Sequence, residues 1–334
     1  MAEAYLSEQL PPPNPLTTII QHAKTIFEKR VKSESTSTTE SSELLISSLS
    51  TLSSTATYLE TYLEIYPNSI PTQTTKDTEM ADADPFEDEM ILDEDDSLYQ
   101  IPSSILLELL SAIPLILEQQ LSVPLIPHAL EAINDIAWTM TLRIPEWDQW
   151  RTIAEQLLQF AVPRLEGMTT LGEDTLSTFL GCIWAAAKSL PEKFSLDVDD
   201  VQNLESIYSH FPTAELQAKI IGILGVAAQH ESIEMNAHIT KILMREIKSQ
   251  FPLVVVEIMD AIIEIFADGE KSYDTPVFIQ GGLLPQLKQL VPHLRKKIKS
   301  IDGRKETDLR ERADEFFETF QQFLKYKENE AKHK

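Results

Sequence analysis

Carboxylates are the most prominent ionisable side chains in this sequence, and many of them lie in one short segment. Residues 77–96 carry 11 Asp and Glu and no Lys or Arg. Such charge speeds encounter with a basic partner, and apolar side chains among the acids would prolong the bound state. The candidate contact residues are Phe86, Leu92, Asp93, Glu94, Asp95 and Asp96. The segment therefore predicts a docking site for a basic protein, with a solubilising linker as the alternative.

Two smaller acidic groups lie at helical spacing. Glu257, Asp260 and Glu264 follow i, i+3, i+7, and Glu131 and Asp135 follow i, i+4. Residues at these intervals share one face of a helix. We expect both groups to face a groove that binds a basic, extended cargo, and an ordinary solvated helix face is the equally weighted alternative.

Motifs for catalysis are absent from the sequence. It has no phosphate-binding G-x-x-x-x-G-K-[ST], no G-x-G-x-x-G, no H-E-x-x-H and no G-x-S-x-G. Cys182, the single cysteine, lies among apolar residues and is interpreted as a small core residue. The acids Asp197, Asp199 and Asp200 are interpreted as a helix N-terminal cluster, since the glycine of a calcium loop is missing. We therefore expect no enzyme activity, no catalytic or metal-ligating residues, and no cofactor.

The overall charge narrows the class of partner. The chain of 334 residues has 53 acidic and 28 basic side chains, a formal net charge of −25. Such a protein repels nucleic acid and anionic membranes and attracts basic proteins. We expect no direct nucleic-acid binding and no membrane span. The basic run Arg295, Lys296, Lys297 and Lys299 resembles a nuclear localisation signal, but apolar residues between the charges favour a cationic helix face.

Hydrophobic periodicity predicts an all-α protein, because no stretch alternates with period two for long enough to make a sheet. Pro114 is expected to kink the helix that contains it. Twelve helices are predicted, over 15–31, 40–65, 103–119, 124–142, 146–163, 172–189, 197–210, 213–229, 233–249, 252–267, 280–300 and 305–328.

The predicted helices form pairs whose second members start about 40–50 residues apart, which is typical of HEAT and armadillo arrays. Trp138 and Trp184 lie late in two of these second helices and are expected to be buried at equivalent places. The fold prediction is an armadillo/HEAT-type α-solenoid of five to six helical pairs, with an ordinary helical bundle as the alternative. The expected divisions are an N-terminal helical segment, 1–66, an acidic disordered loop, 67–100, and the solenoid, 101–330.

A family resemblance rests on the C-terminal third. The stretch FADGEKSYD followed by VF, and the terminal DLRERADEFFETFQQFLKYK, resemble the end of the symportins, fungal adaptors for synchronised import of ribosomal proteins that have an animal HEAT-repeat homologue. NDIAWTM and GCIWAAAK are also similar to that family. The resemblance covers roughly 77–330.

The resemblance implies an armadillo/HEAT solenoid that escorts basic ribosomal proteins of the large subunit. In the family this cargo is the pair that accompanies 5S ribosomal RNA, carried into the nucleus with a transportin-class karyopherin. It also implies that the acidic insertion takes part in cargo binding. We thus expect a non-enzymatic adaptor of cytoplasm and nucleus. The competing hypotheses are a general acidic chaperone for basic proteins such as histones, and a HEAT-repeat scaffold with another partner.

Two features depart from the family pattern. Family members carry a long armadillo array before the acidic insertion, whereas two predicted helices precede it here. The Pro-Tyr dipeptide of the family's import signal does not occur in this sequence. The chain therefore resembles the C-terminal half of a symportin, such as a truncated or split gene product.

Overall fold

The computed structural model describes residues 16–32, 39–66, 101–119, 121–166, 168–230 and 232–333. These residues contain thirteen α-helices and no β-strand. The prediction of an all-α fold of the armadillo/HEAT solenoid class is confirmed. The chain divides into two compact units, Met1–Ile153 and Ala154–Lys334.

The first unit contains helices α1 Leu16–Lys32, α2 Thr39–Ile65, α3 Ser103–Leu110, α4 Ala112–Leu117 and α5 Ile126–Arg143, and a sixth, α6 Asp148–Ala161, crosses its boundary. A 3₁₀ turn, Val123–Leu125, leads into α5. The helix predicted over 103–119 is divided at Ser111, which lies within one helical turn before Pro114. The proline ring crowds the carbonyl four positions earlier and removes one helical hydrogen bond, so the expected kink is found here as a break.

Helices α1 and α2 cover the pair that follows them. Helix α2 packs on both α1 and α5, and α1 also contacts α3. Lys24 on α1 donates to the Glu108 carboxylate at 2.7 Å and to Ser111 Oγ at 2.6 Å. Leu106 and Leu110 are buried in the resulting core. The segment predicted as a separate N-terminal piece thus lies in the same unit as α3–α5.

The second unit contains seven complete helices: α7 Glu173–Lys188, α8 Val198–His210, α9 Ala214–Ala227, α10 Ile233–Glu246, α11 Pro252–Phe266, α12 Leu283–Lys299 and α13 Thr307–His333. Two 3₁₀ turns, Val162–Arg164 and Met168–Thr170, precede α7. The connection between α11 and α12 contains a π-helical turn, Asp274–Ile279, which the sequence did not predict. The last helix also continues five residues beyond the expected end at 328.

Alternate helices of the second unit stack on one another. Helix α9 packs between α7 and α11, and α11 packs in turn on α13. Two glycines of α9 permit this approach, because a Cβ at Gly222 would collide with the Trp184 indole and one at Gly225 would lie 2.7 Å from Ala261 Cβ. Helix α8 packs on α9, and α10 packs on both α9 and α11. Helix α12 packs on α13. This is the repeated pairing of an α-solenoid.

Local sequence signals begin several of these helices. Before α8, the Asp200 amide donates to Asp197 Oδ1 at 2.8 Å, and the Asp197 amide donates to Asp200 Oδ2 at 3.2 Å. This reciprocal capping box satisfies two amides that would otherwise lack helical partners. The interpretation of these acids as a helix N-terminal cluster is therefore confirmed. Pro252 occupies the first turn of α11, where its missing N–H leaves no bond unmade.

The tryptophans differ from expectation. Trp138 and Trp184 are each partly exposed, whereas Trp150 of α6 is fully buried. The expectation that Trp138 and Trp184 are core residues is wrong. Trp184 rests one edge of its ring on Gly222, and its partial exposure leaves it on the surface of the stack. Helical spacing placed both tryptophans on the second helix of a pair. It did not show whether their side chains point into the core or lie at the edge of the buried face.

Candidate partner-binding surface

The predicted stripe on α11, which we term the α11 cluster, consists of Glu257, Asp260 and Glu264. Its first member is not an open carboxylate. The Glu257 side chain is 3% exposed, and the Arg312 guanidinium of α13 donates to its Oε2 at 2.8 Å. The expectation of three solvent-facing acids is thus corrected at Glu257, because stacking of α13 on α11 buries and pairs that side chain.

Glu264, at the other end of the α11 cluster, is surface-accessible and paired more loosely. Its carboxylate lies 3.6 Å from Lys188 Nζ of α7 and accepts a hydrogen bond from Gln229 Nε2 at 3.3 Å. The cluster is therefore shared by side chains from three neighbouring segments of the stack and from α13. Its three carboxyl groups lie within the influence of two cations, Lys188 and Arg312.

Asp260, between the other two acids, has a strongly raised pKa. Burial raises its pKa to about 7, and the neighbouring carboxylates of Glu264 and Glu257 add to the rise. Lys188 and Arg312 act in the opposite direction without cancelling it. Burial also raises the pKa of Glu257, with Arg312 and Lys188 opposing it. A cation placed beside Asp260 would stabilise its ionised form, so this position favours a basic ligand.

An aromatic face adjoins the α11 cluster. The Lys188 ammonium lies 5.8 Å from the centroid of the Trp184 ring, a cation–π distance. On α13, the Arg312 guanidinium lies 5.3 Å from the Phe316 ring. The surface thus combines carboxylates with partly exposed aromatic rings, and these are the groups that bind Lys and Arg side chains. Lys188 and Arg312 could not be assigned to this surface from the sequence. Both lie far from the α11 cluster in the chain, and only the packing of their helices brings them to it.

The acids predicted on α5 lie in the first unit. Glu131 is exposed, with His128 Nδ1 at 3.9 Å. Asp135 is half-buried and accepts hydrogen bonds from Ser53 Oγ of α2 and from Asn134 Nδ2. The structure therefore places the two residues in different surroundings, and only Glu131 is an open acidic group.

Asp135 belongs to a second acidic group that the sequence analysis missed. Burial raises the pKa of Glu60 on α2, Arg143 opposes this, and the charges of Glu64 and Asp135 raise it further. Arg143 also forms an ion pair with Glu64 at 3.2 Å. We term Glu60, Glu64 and Asp135 the α2–α5 cluster, in which the charges of Glu64, Asp135 and Arg143 all act on Glu60. The Glu60–Glu64 spacing of i, i+4 was the available sequence signal.

The remaining predicted contacts, Phe86, Leu92 and Asp93 to Asp96, lie outside the described residues. Within the described ranges, no group of three His, Cys, Asp or Glu side chains could hold a metal ion. No helix of the described part combines the length and apolarity needed to cross a bilayer. Cys182 is buried.

The basic run near the C-terminus lies on helix α12. Leu294 and Ile298 of α12 are buried, and Arg295, Lys296 and Lys299 are exposed. This confirms the cationic helix face. A helix whose apolar side is buried in the core does not present the basic run as an extended peptide, which disfavours the localisation-signal interpretation.

The stacked helical pairs define a protein of the α-solenoid class, built from repeats. Residues 101–331 match the family described as SYO1-like, TPR repeats. The chain belongs to this family, and the resemblance identified from the sequence is confirmed.

Three curated proteins illustrate the relationship. The Schizosaccharomyces pombe armadillo repeat protein involved in nucleocytoplasmic transport Syo2 is 28% identical over 215 residues, 61% of this chain and 32% of that protein. Synchronized import protein 1 of Saccharomyces cerevisiae is 28% identical over 236 residues, covering 61% and 37%. Symportin 1 of Chaetomium thermophilum is 28% identical over 251 residues, covering 66% and 36%. The chain thus spans about a third of the length of the curated relatives it matches.

Proposed function

We propose that this protein is a non-enzymatic adaptor that binds basic ribosomal proteins of the large subunit for nuclear import and assembly. Its cargo would be the ribosomal proteins of the 5S particle, and it would act in cytoplasm and nucleus. Membership of a family whose named relatives include a nucleocytoplasmic transport protein and import proteins supports the adaptor role. A transportin-class karyopherin is the proposed second partner.

The observation that carries the proposal is the half-buried Asp260, which lies beside Glu264 on α11 within the stack of solenoid helices. Burial raises its pKa to about 7, and repulsion by the neighbouring carboxylates of Glu264 and Glu257 adds to the rise. A Lys or Arg side chain of the cargo would relieve that repulsion, so the surface gains more from a basic ligand than an ordinary solvated face does. Ionisation of Asp260 then becomes part of cargo binding.

Each of the predicted binding groups takes a defined part in the proposal. Asp260 and Glu264 contact the cargo directly, and Glu257 positions Arg312 rather than touching cargo. Glu131 contributes an exposed charge from the first unit. Asp93, Glu94, Asp95 and Asp96 speed the encounter, whereas Phe86 and Leu92 prolong the complex.

The experiment measures association and dissociation rates with a purified 5S-particle ribosomal protein at near-physiological salt. Replacing Asp93 to Asp96 with the corresponding amides should slow association and flatten its salt dependence. Phe86→Ala with Leu92→Ala should speed dissociation by roughly tenfold per anchor, since each well-buried anchor contributes about 1–2 kcal/mol. Asp260→Asn with Glu264→Gln should also speed dissociation.

The matched control is Glu311→Gln with Glu318→Gln, which removes the same number of charges from exposed positions of α13. Equal effects of the control and the α11 variant would show that net charge alone determines binding. Equal affinity for a histone would favour a general acidic chaperone. Absence of binding to any basic protein would leave the scaffold alternative and contradict the proposal.

A further inference from the structure

A groove runs along the outer side of α1 and α2, on the side of the first unit away from the α3–α5 core. Two adjoining depressions of about 410 and 460 Å³ form it, and Ile19, Ser47 and Thr51 line both. Its apolar lining residues are Leu16, Ile19, Ala23, Ile26, Leu44 and Tyr58. Ile19 is 42% exposed. The groove thus exposes apolar surface that another segment can cover.

The dimensions of the groove suit one short peptide segment. Its lining extends on α2 from Leu44 to Tyr58, and an α-helix rises ~1.5 Å per residue, so the groove is roughly 20 Å long. One wall contains small hydroxyl residues, and three of them donate along their own helix. Ser48 donates to the Leu44 carbonyl, Thr51 to the Ser47 carbonyl and Thr55 to the Thr51 carbonyl. The hydroxyl protons of these three residues are therefore engaged within α2, which favours an apolar ligand at this wall.

The chain itself supplies such a ligand directly before α1. Residues 1–10, MAEAYLSEQL, contain Tyr5, Leu6 and Leu10, and the linker PPPNP at 11–15 joins them to Leu16. Leu16 lines the groove, so the tether begins at its edge. Five Pro-rich residues span about 15 Å at ~3.1 Å per residue, enough to reach either depression.

We propose that the segment 5–10 is the ligand of the α1–α2 groove, with Tyr5, Leu6 and Leu10 as its apolar contacts to Ile19, Ile26 and Tyr58. Covalent attachment next to the groove favours the segment 5–10 over a peptide of a separate molecule. A short linker holds the segment at an effective concentration of about millimolar, which compensates for the small apolar area of three side chains. The pyrrolidine rings of the linker also restrict its unbound conformations, so less entropy is lost on docking.

Proximity cross-linking in the full chain tests the proposal. In a Cys182→Ser background, Leu6→Cys is combined with Ser50→Cys, which lines the groove. The control combines Leu6→Cys with Thr57→Cys, an exposed residue of α2 outside the groove lining. Mild oxidation should produce the intramolecular disulfide at least about tenfold faster in the groove pair, because docking raises the local concentration of the two thiols. Adding Ile19→Asp should remove this advantage.

A second measurement does not depend on engineered thiols. Deletion of residues 2–10 should increase amide hydrogen exchange in 16–26 and 44–58, while exchange in α5 stays unchanged. Equal cross-linking rates for the two pairs, together with unchanged exchange after the deletion, would overturn the proposal. Predominantly intermolecular disulfides, with a dimer in light scattering, would assign the groove to a second copy and equally overturn it.

Discussion

Lys327 and Asp274, 53 residues apart in the chain, form an ion pair of 2.6 Å whose two side chains are 1% and 0% exposed. The same ammonium lies 2.8 Å from Glu330 Oε2 and 5.3 Å from the Phe278 ring. Nearby, the Tyr273 hydroxyl donates to the Ile265 carbonyl at 3.0 Å. These contacts fasten the π-helical turn after α11 to the end of α13.

Loss of the Lys327 ammonium should be among the costlier single changes in the second unit. Lys327→Met leaves the buried Asp274 carboxylate without its ion-pair partner, and we expect the free energy of unfolding to fall by about 3 kcal/mol. Urea unfolding measures the loss, and hydrogen exchange should rise at 307–333. The control Lys332→Met removes only an exposed pair with Glu328 and should leave the free energy of unfolding almost unchanged. Equal effects of the two changes would contradict this account.

Arg312 should stabilise the protein through Glu257 rather than through its neighbours in α13. Arg312→Met leaves a carboxylate that is 3% exposed without its cation, and we expect a loss of about 2–3 kcal/mol. Adding Glu257→Gln should recover more than half of that loss, because the amide carries no charge to desolvate. Lys193→Met, which removes the exposed pair with Glu155, is the control. If the double variant Arg312→Met with Glu257→Gln is as unstable as Arg312→Met alone, Glu257 is not the group through which Arg312 stabilises the protein.

Asp260 should make stability depend on pH. Its pKa is raised from 3.8 to about 7 on folding, so the folded state binds the proton more tightly than the unfolded state. The free energy of unfolding therefore falls as pH rises between these two values and levels off above pH 7. Asp260→Asn removes this contribution and should be more stable than the parent near pH 8, by about 1–2 kcal/mol more than near pH 5. Parallel pH profiles for parent and variant would contradict the assignment.

Gly222 should be required for the position of Trp184. A Cβ at residue 222 would collide with the indole, so Gly222→Ala should displace the ring outward and cost about 1–3 kcal/mol. Combining it with Trp184→Ala should show a strong coupling energy in a double-mutant cycle. Gly172→Ala, where an added Cβ meets no atom within 4 Å, should cost less than about 1 kcal/mol. Additive effects of the two changes at 222 and 184 would mean that the ring avoids the new methyl group without resistance.

Much of the architecture follows from the sequence because helices depend on local signals. Apolar spacing predicted the helices that form α1 to α13, Pro114 predicted the break before α4, and the acids from Asp197 to Asp200 predicted the start of α8. The solenoid class could also be predicted from the spacing of the helix pairs. The family could be predicted from the FADGEKSYD and FLKYK motifs.

The pairing near the C-terminus shows where local signals stop. Helical spacing alone offers Glu306 as an i, i+4 partner for Arg310 and Asp308 for Arg312, contacts that typically contribute a few tenths of a kcal/mol. The structure instead pairs Arg310 with Asp314 at 2.7 Å and Arg312 with Glu257. Glu306 lies before the first residue of α13 and Asp308 lies in its first turn, whereas Glu257 is a buried carboxylate on α11.

The sequence by itself determined that this protein is helical, acidic and built from repeated pairs, because period, composition and capping act within a few residues. Only the tertiary structure decided which carboxylates stay open. Glu257 and Asp260 are three residues apart, yet one is paired with Arg312 and the other titrates near neutrality. That difference arises from the packing of α13 on α11 and from the charge of Lys188 on α7, since the desolvation and the cations that act on a carboxylate come from helices distant in the chain.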